Sequence, residues 1–192
     1  MTIKAKDFPV IQQARAAVRA QFAYYYEMMA KKENKMKHTK GNLLRLAEAG
    51  EFDVIVQGCN CFCTMGSGIA KEIRETYPEA YEADLQTERG AYSKLGNYTY
   101  AVVPNKFVIV NAYTQFGFNR MGENKDLFEY TAFKLILEKL AYQFPTARFG
   151  FPYIGMGLAG GSKVDIMAHL ESFSRKIEET GGSVTLVEFV PT

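Results

Sequence analysis

The 192-residue sequence has no tryptophan, only two histidines and three cysteines, and no long hydrophobic run. A membrane-spanning helix needs about 20 consecutive apolar residues, so we expect no association with a membrane. The opening segment, MTIKAKDFPVIQQARAAV, lacks an apolar stretch followed by a small-residue cleavage site, which argues against a secretory signal. These absences predict a cytoplasmic protein.

The sequence also has little net charge. Its 23 Lys and Arg residues and 21 Asp and Glu residues give a formal net charge of +2. A nucleic-acid-binding surface usually carries a larger and more clustered positive charge, so charge alone does not predict one. The hydrophobic share of 47% and the charged share of 23% are typical of a globular protein. The length suits one domain with an appendage.

The three cysteines, Cys59, Cys61 and Cys63, occupy alternate positions. An odd number of cysteines in a cytoplasmic chain does not predict a disulfide framework. Zinc needs four converging ligands, and His38 and His169 do not have the spacing of zinc ligands. We therefore predict no metal site and interpret the cysteines as small, buried, apolar residues at the end of a strand.

Residues 1–35 are predicted to form an accessory helix. Asp7 can cap its N-terminus, Pro9 suits its first turn, and apolar residues recur at helical spacing as far as Lys35. This helix is expected to dock on the main domain or on a second subunit, where it could mediate a dimer. The oligomeric state itself stays open.

Residues 36–192 are predicted to form the main domain. The β-branched run DVIVQG predicts a central strand that is covered on both faces. Helical periodicity and strand composition alternate along the rest of the chain, which predicts an α/β fold with three layers, α/β/α, around a mixed sheet. The predicted strands are Asp53–Gly58, Asn97–Val103, Lys106–Tyr113, Ala147–Pro152 and Ser183–Val190, the second and third forming a hairpin, and the predicted helices are Gly68–Tyr77, Leu127–Phe144 and Lys163–Glu179.

Two glycine-rich segments each connect a predicted strand to a predicted helix. We name them the first glycine loop, MGSGIA (Met65–Ala70), and the second glycine loop, GMGLAGG (Gly155–Gly161). Ligands of α/β proteins bind where strands end, and glycine amides at a helix N-terminus attract anions. One such loop can be no more than a tight turn. Two loops at equivalent strand ends together predict a diphosphate site.

Polar side chains also follow two of the predicted strands. They are Asn60, Asn111, Thr114 and Gln115. Side-chain amides offer both a donor and an acceptor to ribose hydroxyls, although Asn60 could instead only satisfy loop amides. Tyr153 and Phe151, beside the second glycine loop, suit either a sugar or base contact or the core.

In this order the motifs resemble those of the macrodomains, a family of ADP-ribose-binding modules. The resemblance runs from about Lys40 to Val190, and it rests on KGNLL, QGCN, MGSGIA, NAYTQ and FPYIGMGLAGG. The versions CNCFCTMGSGIAKEIRETYPEAYEAD and GLAGG are most similar to the branch that includes ADP-ribose-1''-phosphate phosphatases and phage and bacterial relatives. The resemblance implies a macrodomain fold for residues 36–192, ADP-ribose or a derivative as ligand, and no cofactor.

The resemblance also implies roles for individual residues. Asn42 would lie near the adenine, where most relatives have an aspartate, and Asn60 would face the distal ribose. The residues considered above, Thr114, Gln115 and Tyr153, are added to these as candidates for contacts with the sugar or base. One side of the diphosphate would be lined by Gly66, Ser67, Gly68 and Ile69, and the other side by Gly155, Met156, Gly157, Leu158 and Ala159.

The catalytic residues known from relatives are replaced by other residues in this chain. Phosphatase relatives can carry a histidine where this chain has Gln57, and relatives that remove ADP-ribose from glutamate use a lysine and an aspartate where it has Gln115 and Ala159. A candidate acid that follows the second loop in many relatives is Ser162 here. Asn60, positioning water or substrate, is therefore the catalytic candidate.

These inferences lead to two main functional hypotheses. The first is an enzyme that binds ADP-ribose or a derivative and hydrolyses ADP-ribose 1''-phosphate or an ADP-ribosyl ester. The alternative is a non-catalytic module that recognises free ADP-ribose, ADP-ribosylated macromolecules or a related nucleotide signal. A third hypothesis is a nucleic-acid-linked role, such as reversing ADP-ribosylation of DNA bases.

Overall fold

The structure, a computed structural model, describes residues 36–119, 123 and 126–190. The predicted accessory helix Asp7–Lys35 lies outside these residues. The division of the chain at residue 36 therefore stays a prediction. Within the described part, no helix is both long and apolar enough to cross a bilayer.

The described residues form one mixed sheet of six strands. The strands are β1 (Lys37–Gly41), β2 (Val54–Asn60), β3 (Tyr98–Val103), β4 (Phe107–Gln115), β5 (Arg148–Phe151) and β6 (Ser183–Phe189). Their order across the sheet is β1-β6-β5-β2-β4-β3. All neighbours are parallel except β3 and β4, which form the predicted antiparallel hairpin. The mixed sheet is thereby confirmed.

Helices cover both faces of this sheet, which confirms the three-layer α/β/α architecture. The helices of the described part are α1 (Leu43–Glu48), α2 (Gly68–Thr76), α3 (Pro78–Leu85), α4 (Tyr130–Gln143) and α5 (Lys163–Glu179), with a 3-10 turn at Tyr92–Lys94. Alternate residues of each strand face opposite layers. Val54 and Val56 of β2 pack in the core beneath α4 and α5, whereas Ile55 packs in the core beneath α1 and α2.

Two elements at the start of the domain were not predicted. β1, KHTKG, is mostly exposed at the edge of the sheet, so it has no alternation of apolar and polar residues that could reveal a strand. It is held by parallel pairing with β6, from Lys37 opposite Thr185 to Gly41 opposite Phe189. α1 has only six residues, too few for helical periodicity to be visible in the sequence.

The predicted start of the helix at Leu127 is wrong by three residues. Phe128 instead forms an isolated antiparallel bridge with Gln115, and the Glu129 amide donates to the Thr114 carbonyl at 2.8 Å. These contacts hold the segment in an extended conformation until α4 begins at Tyr130. They also bring the end of β4 to the segment that packs beneath the second glycine loop.

Candidate functional site

A cleft of about 850 Å³ lies at the carboxyl ends of the parallel strands. Its wall includes residues that end or follow β1, β6, β5, β2 and β4, which is also the order of these strands in the sheet. Neighbouring strands are about 4.8 Å apart, so the row of strand ends extends over about 19 Å. The site is therefore elongated, with one end at β1 and the other at β4.

The first glycine loop forms one wall of the cleft and leads into α2. Gly66, Ser67 and Gly68 are exposed, and a side chain at Gly68 would meet no atom within 4 Å. The Ser67 side chain makes no capping hydrogen bond, so it does not compete with a ligand for the first amides of α2. The N-terminus of this helix thus presents main-chain donors and a partial positive charge to the cleft.

The second glycine loop is shaped by close packing. A Cβ atom at Gly155 would lie 2.2 Å from the Phe128 ring, and one at Gly161 would lie 2.7 Å from Ile166 Cδ1. Gly155 also has a φ angle of +73°, a backbone conformation that favours glycine. In contrast, a Cβ atom at Gly157 would meet nothing within 4 Å, and Gly157 lines the cleft. The loop is thus anchored at both ends and open in its middle.

Most of the residues predicted for the site line this single cleft. They are Asn42, Asn60, Gly66, Ser67, Gly68, Ile69, Gln115, Tyr153, Gly155, Gly157, Leu158 and Ala159. Thr114 and Met156 are not part of the wall: Thr114 is fully buried, and Met156 packs against the core beneath α4 and α5. The two glycine loops therefore face a common space.

Asn42 has no free acceptor for a ligand. Its Oδ1 atom caps α1 by accepting hydrogen bonds from the amides of Leu44 at 2.8 Å and Arg45 at 3.1 Å. Its Nδ2 atom donates to Glu72 Oε1 at 2.9 Å. Glu72 lines the cleft and was not predicted. Its position on α2, three residues after Ile69, could have indicated that it shares the face of the first glycine loop.

Asn60 is also engaged within the protein. Its Oδ1 atom accepts from the Phe62 amide at 2.8 Å, and its Nδ2 atom donates to Thr64 Oγ1 at 2.7 Å. A register shift between β2 and β4 begins after Cys59, so that Asn60 lies opposite Gln115. These contacts favour the interpretation in which Asn60 shapes the loop that follows β2.

Gln57 lies in the core and not on the cleft wall. Its side chain is 1% exposed, and its Nε2 atom donates to Asn111 Oδ1 at 2.8 Å. Asn111 Nδ2 donates in turn to the Ala80 carbonyl at 2.7 Å. The two amides connect β2, β4 and α3, so the predicted sugar contact of Asn111 is replaced by a structural one.

All three cysteines are buried and free, as predicted. Burial raises the pKa of the Cys61 thiol to about 11 and raises the pKa of the Cys59 thiol well above its ordinary value. Cys63 has an additional contact that the sequence did not predict, because Lys94 Nζ lies 3.1 Å from its sulfur atom. Among the described residues, no three His, Cys, Asp or Glu side chains form a group that could hold a metal ion.

Lys94 also forms a buried ion pair with Asp84. The Nζ–Oδ1 distance is 3.0 Å, and the side chains are 5% and 1% exposed. Desolvation acts to lower the pKa of Lys94, but hydrogen bonds to Cys63 and Asp84 outweigh it and raise this pKa. Tyr113 Oη donates to the same carboxylate oxygen at 2.8 Å, and burial raises the pKa of Tyr113. Asp84 is the member of this cluster that lines the cleft.

Solved structures with the same architecture include macrodomains. No protein-family model matches the chain. A Bacteroides thetaiotaomicron protein of known crystal structure aligns with a TM-score of 0.66 and 21% identity, over 81% of this chain and 100% of that one. The macrodomain of Mycobacterium tuberculosis DarG aligns with a TM-score of 0.57 and 20% identity, over 82% and 100%. Thermosipho africanus DarTG in complex with ADP-ribose aligns with a TM-score of 0.51 and 14% identity, over 73% and 38%.

The mixed sheet, its helical layers and these alignments define the fold as that of a macrodomain. A phage protein identifies the family within that fold. The uncharacterized 17.5 kDa protein of the tk-vs intergenic region of Enterobacteria phage T4 is 34% identical over 164 residues, which are 81% of this chain and 97% of the phage protein. The chain belongs to the family of this phage T4 protein.

Proposed function

We propose that the chain binds ADP-ribose or an ADP-ribose derivative in the cleft. The observation that carries this proposal is that two glycine loops, far apart in the sequence, line one cleft at the carboxyl ends of the strands. Their amides would hold the diphosphate from two sides, with the N-terminus of α2 adding favourable charge. The complex of Thermosipho africanus DarTG with ADP-ribose, on the same fold, supports the choice of ligand.

We propose the β1 end of the cleft as the adenine site. Apolar wall residues at this end are Leu43, Ile69, Val187 and Phe189, and Phe189 is 64% exposed, so it can contact a flat ring. Glu72 is the carboxylate of this end, held by Asn42. We therefore assign to Glu72, and not to Asn42, the role of accepting a hydrogen bond from the exocyclic amino group of adenine.

The distal ribose would then lie at the β4 end, near Asn60 and Gln115. The finer form of the proposal is that the chain hydrolyses ADP-ribose 1''-phosphate or an ADP-ribosyl ester there, with the loop amides stabilising the phosphate charge. Asn60 would act by fixing the loop after β2, since both of its polar atoms bind within that loop.

The alternative function is recognition without turnover. It is supported by the side chains at the positions where relatives carry catalytic groups. Gln57 is buried in the core, and Gln115 Nε2 donates to the Gly117 carbonyl at 2.8 Å. Ala159 and Ser162 carry no acid.

Isothermal titration calorimetry with ADP-ribose, followed by an assay of phosphate release from ADP-ribose 1''-phosphate, tests these proposals in order. Saturable binding of ADP-ribose with release of phosphate supports the enzyme, and binding without turnover of either the phosphate or an ADP-ribosyl ester supports the recognition module. Heat changes no larger than those of buffer dilution at millimolar ADP-ribose would overturn the proposed function itself.

A further inference from the structure

Asp84 of α3 is a buried carboxylate in the wall of the cleft. Its side chain is 1% exposed. Its Oδ1 atom accepts hydrogen bonds from Lys94 Nζ at 3.0 Å and from Tyr113 Oη at 2.8 Å. Its Oδ2 atom has no hydrogen-bond partner within the part of the chain that the structure describes. One half of the carboxylate is thus fixed by the protein, and the other half is not.

An unpaired buried oxygen of this kind calls for an explanation. Burying a polar atom without a hydrogen-bond partner is destabilising, and more so for a charged group, so nearly all such atoms in proteins are paired. Asp84 also retains its charge partner, since Lys94 contacts Oδ1 directly. Oδ2 has almost no accessible surface, so a donor from the cleft would pair it after a shift of the side chains that cover it, while Lys94 keeps its contact with Oδ1.

Asp84 belongs to the β4 end of the cleft. It bonds to Tyr113 of β4, and Cys63, two residues before the first glycine loop, donates from Sγ to the Asp84 carbonyl at 3.3 Å. Glu72, at the opposite end, bonds to Asn42 beside β1. The two carboxylates therefore belong to the two ends of the row of strands that the cleft follows.

We propose that Asp84 Oδ2 is a ligand-binding acceptor that takes a hydrogen bond from a hydroxyl group of the sugar bound at the β4 end. A carboxylate has no proton to give, so it selects a donor, and a phosphate oxygen at this place would be repelled. Lys94 and Tyr113 fix the orientation of the carboxylate in advance, which lowers the entropic cost of binding. This inference rests on the proposed function and adds that a buried carboxylate recognises the distal ribose by accepting a hydrogen bond from it.

The test compares ADP-ribose with ADP, which lacks the distal ribose, by titration calorimetry on the full chain. The variant is Asp84→Asn, which keeps an oxygen for Lys94 and Tyr113 but replaces the second oxygen with an amide group. Loss of a charge-assisted hydrogen bond predicts that the affinity for ADP-ribose falls about tenfold. The affinity for ADP should change by less than about twofold, because ADP does not reach Asp84.

Tyr113→Phe is the matched control, since it removes a donor to Oδ1 and leaves Oδ2 unchanged. It should lower the ratio of the ADP-ribose and ADP affinities much less than Asp84→Asn does, because Lys94 still holds Oδ1 and the acceptor Oδ2 is retained. If Asp84→Asn does not fold, as judged by its melting curve, the double variant Asp84→Ala with Lys94→Met replaces the whole ion pair by apolar groups and should show the same lowered ratio.

Three results would overturn the inference. They are an unchanged affinity ratio in the folded Asp84 variant, an equal loss for both nucleotides, and a ratio in Tyr113→Phe that falls as far as in Asp84→Asn. Failure of the proposed function looks different, because the wild-type chain would then bind neither nucleotide.

Discussion

At the scale of single residues, the sequence pattern did not show which side-chain atoms in the cleft are available to a ligand. The two asparagines that the sequence offers as ligand contacts are instead engaged within the protein: Asn42 caps α1 and donates to Glu72, and Asn60 bonds within its own loop. The carboxylates of Glu72 and Asp84, for which no role was predicted although both lie within the quoted segment CNCFCTMGSGIAKEIRETYPEAYEAD, line the cleft. Residue type and position therefore predicted most of the residues that line the cleft but did not identify the side-chain groups that are free to contact a ligand.

The adenine assignment of Glu72 gives a prediction at this scale. In Glu72→Gln, an oxygen can still accept from Asn42, but the second oxygen becomes an amide that cannot accept from an amino group. We expect the affinity for ADP-ribose to fall about tenfold, by analogy with other hydrogen bonds to charged groups. The affinity for the hypoxanthine analogue, which has a carbonyl in place of the amino group, should fall less. Calorimetric titration with both compounds measures the difference.

Glu75→Gln provides the control for this substitution. Glu75 lies on the same helix and pairs with Lys71 at 3.8 Å, but it is exposed and does not line the cleft. Glu75→Gln should leave the affinities for ADP-ribose and for the hypoxanthine analogue unchanged. If Glu75→Gln lowered the affinity as much as Glu72→Gln, the loss would come from the overall negative charge of α2. The assignment of Glu72 to the adenine amino group would then be wrong.

At the scale of elements, the strand-to-loop-to-helix units decide where the main-chain donors point. The first glycine loop opens toward the cleft because α2 starts at Gly68, and the second is held by Phe128, which reaches it from the segment before α4. Phe128 is extended because it bridges to Gln115. Two distant loops are thus coupled to the same central strands.

Gly157 tests the role of the second glycine loop. In Gly157→Val the added side chain would enter open space in the cleft, since no atom lies within 4 Å of a Cβ at this position. We expect a melting temperature close to that of the wild type. Binding of ADP-ribose should fall by more than about tenfold, because the side chain would occupy volume that the diphosphate needs.

Gly117→Val is the matched control for this loop variant. A Cβ atom at Gly117 would also meet nothing within 4 Å, but Gly117 does not line the cleft. Its substitution should leave ADP-ribose binding intact in the same calorimetric experiment. Retained binding in Gly157→Val would show that the second glycine loop does not contact the ligand.

At the scale of the whole molecule, buried groups that resist ionisation make stability depend on pH. The pKa of Cys61 is raised from its ordinary value of 9.0 to about 11, and those of Cys59 and Tyr113 are raised as well. In each case the unfolded chain loses its proton first, so the folded state binds more protons in this range and its stability falls as the pH rises.

We therefore expect the free energy of unfolding to be constant near neutral pH and to decrease from about pH 9 upward. Urea denaturation at several pH values between about 7 and 11 measures this decrease. In Cys61→Ala the decrease between about pH 9 and pH 11 should be smaller, because one of the responsible groups is removed. An equally steep decrease in that variant would show that Cys61 contributes nothing to the pH dependence.

Much of the fold could be predicted because its signals are local. β-branched runs mark β2 and β4, and the bounds of α5 agree with the predicted Lys163–Glu179. β1 was not predicted because an exposed edge strand is defined by its pairing with β6 and not by its own composition. The start of α4 was misplaced because a contact with β4 overrides the helical periodicity of Leu127 and Phe128.

The sequence by itself determined the alternation of strands and helices and the two glycine loops, because these depend on residues that are neighbours along the chain. Only the tertiary structure decided which polar atoms remain for a ligand. The side-chain amide of Asn42 donates to a residue 30 positions away, and Asp84 is oriented by Tyr113, 29 positions away. A hydrogen-bonding atom is satisfied by whatever the fold brings within about 3 Å of it, and that neighbour cannot be read from local pattern.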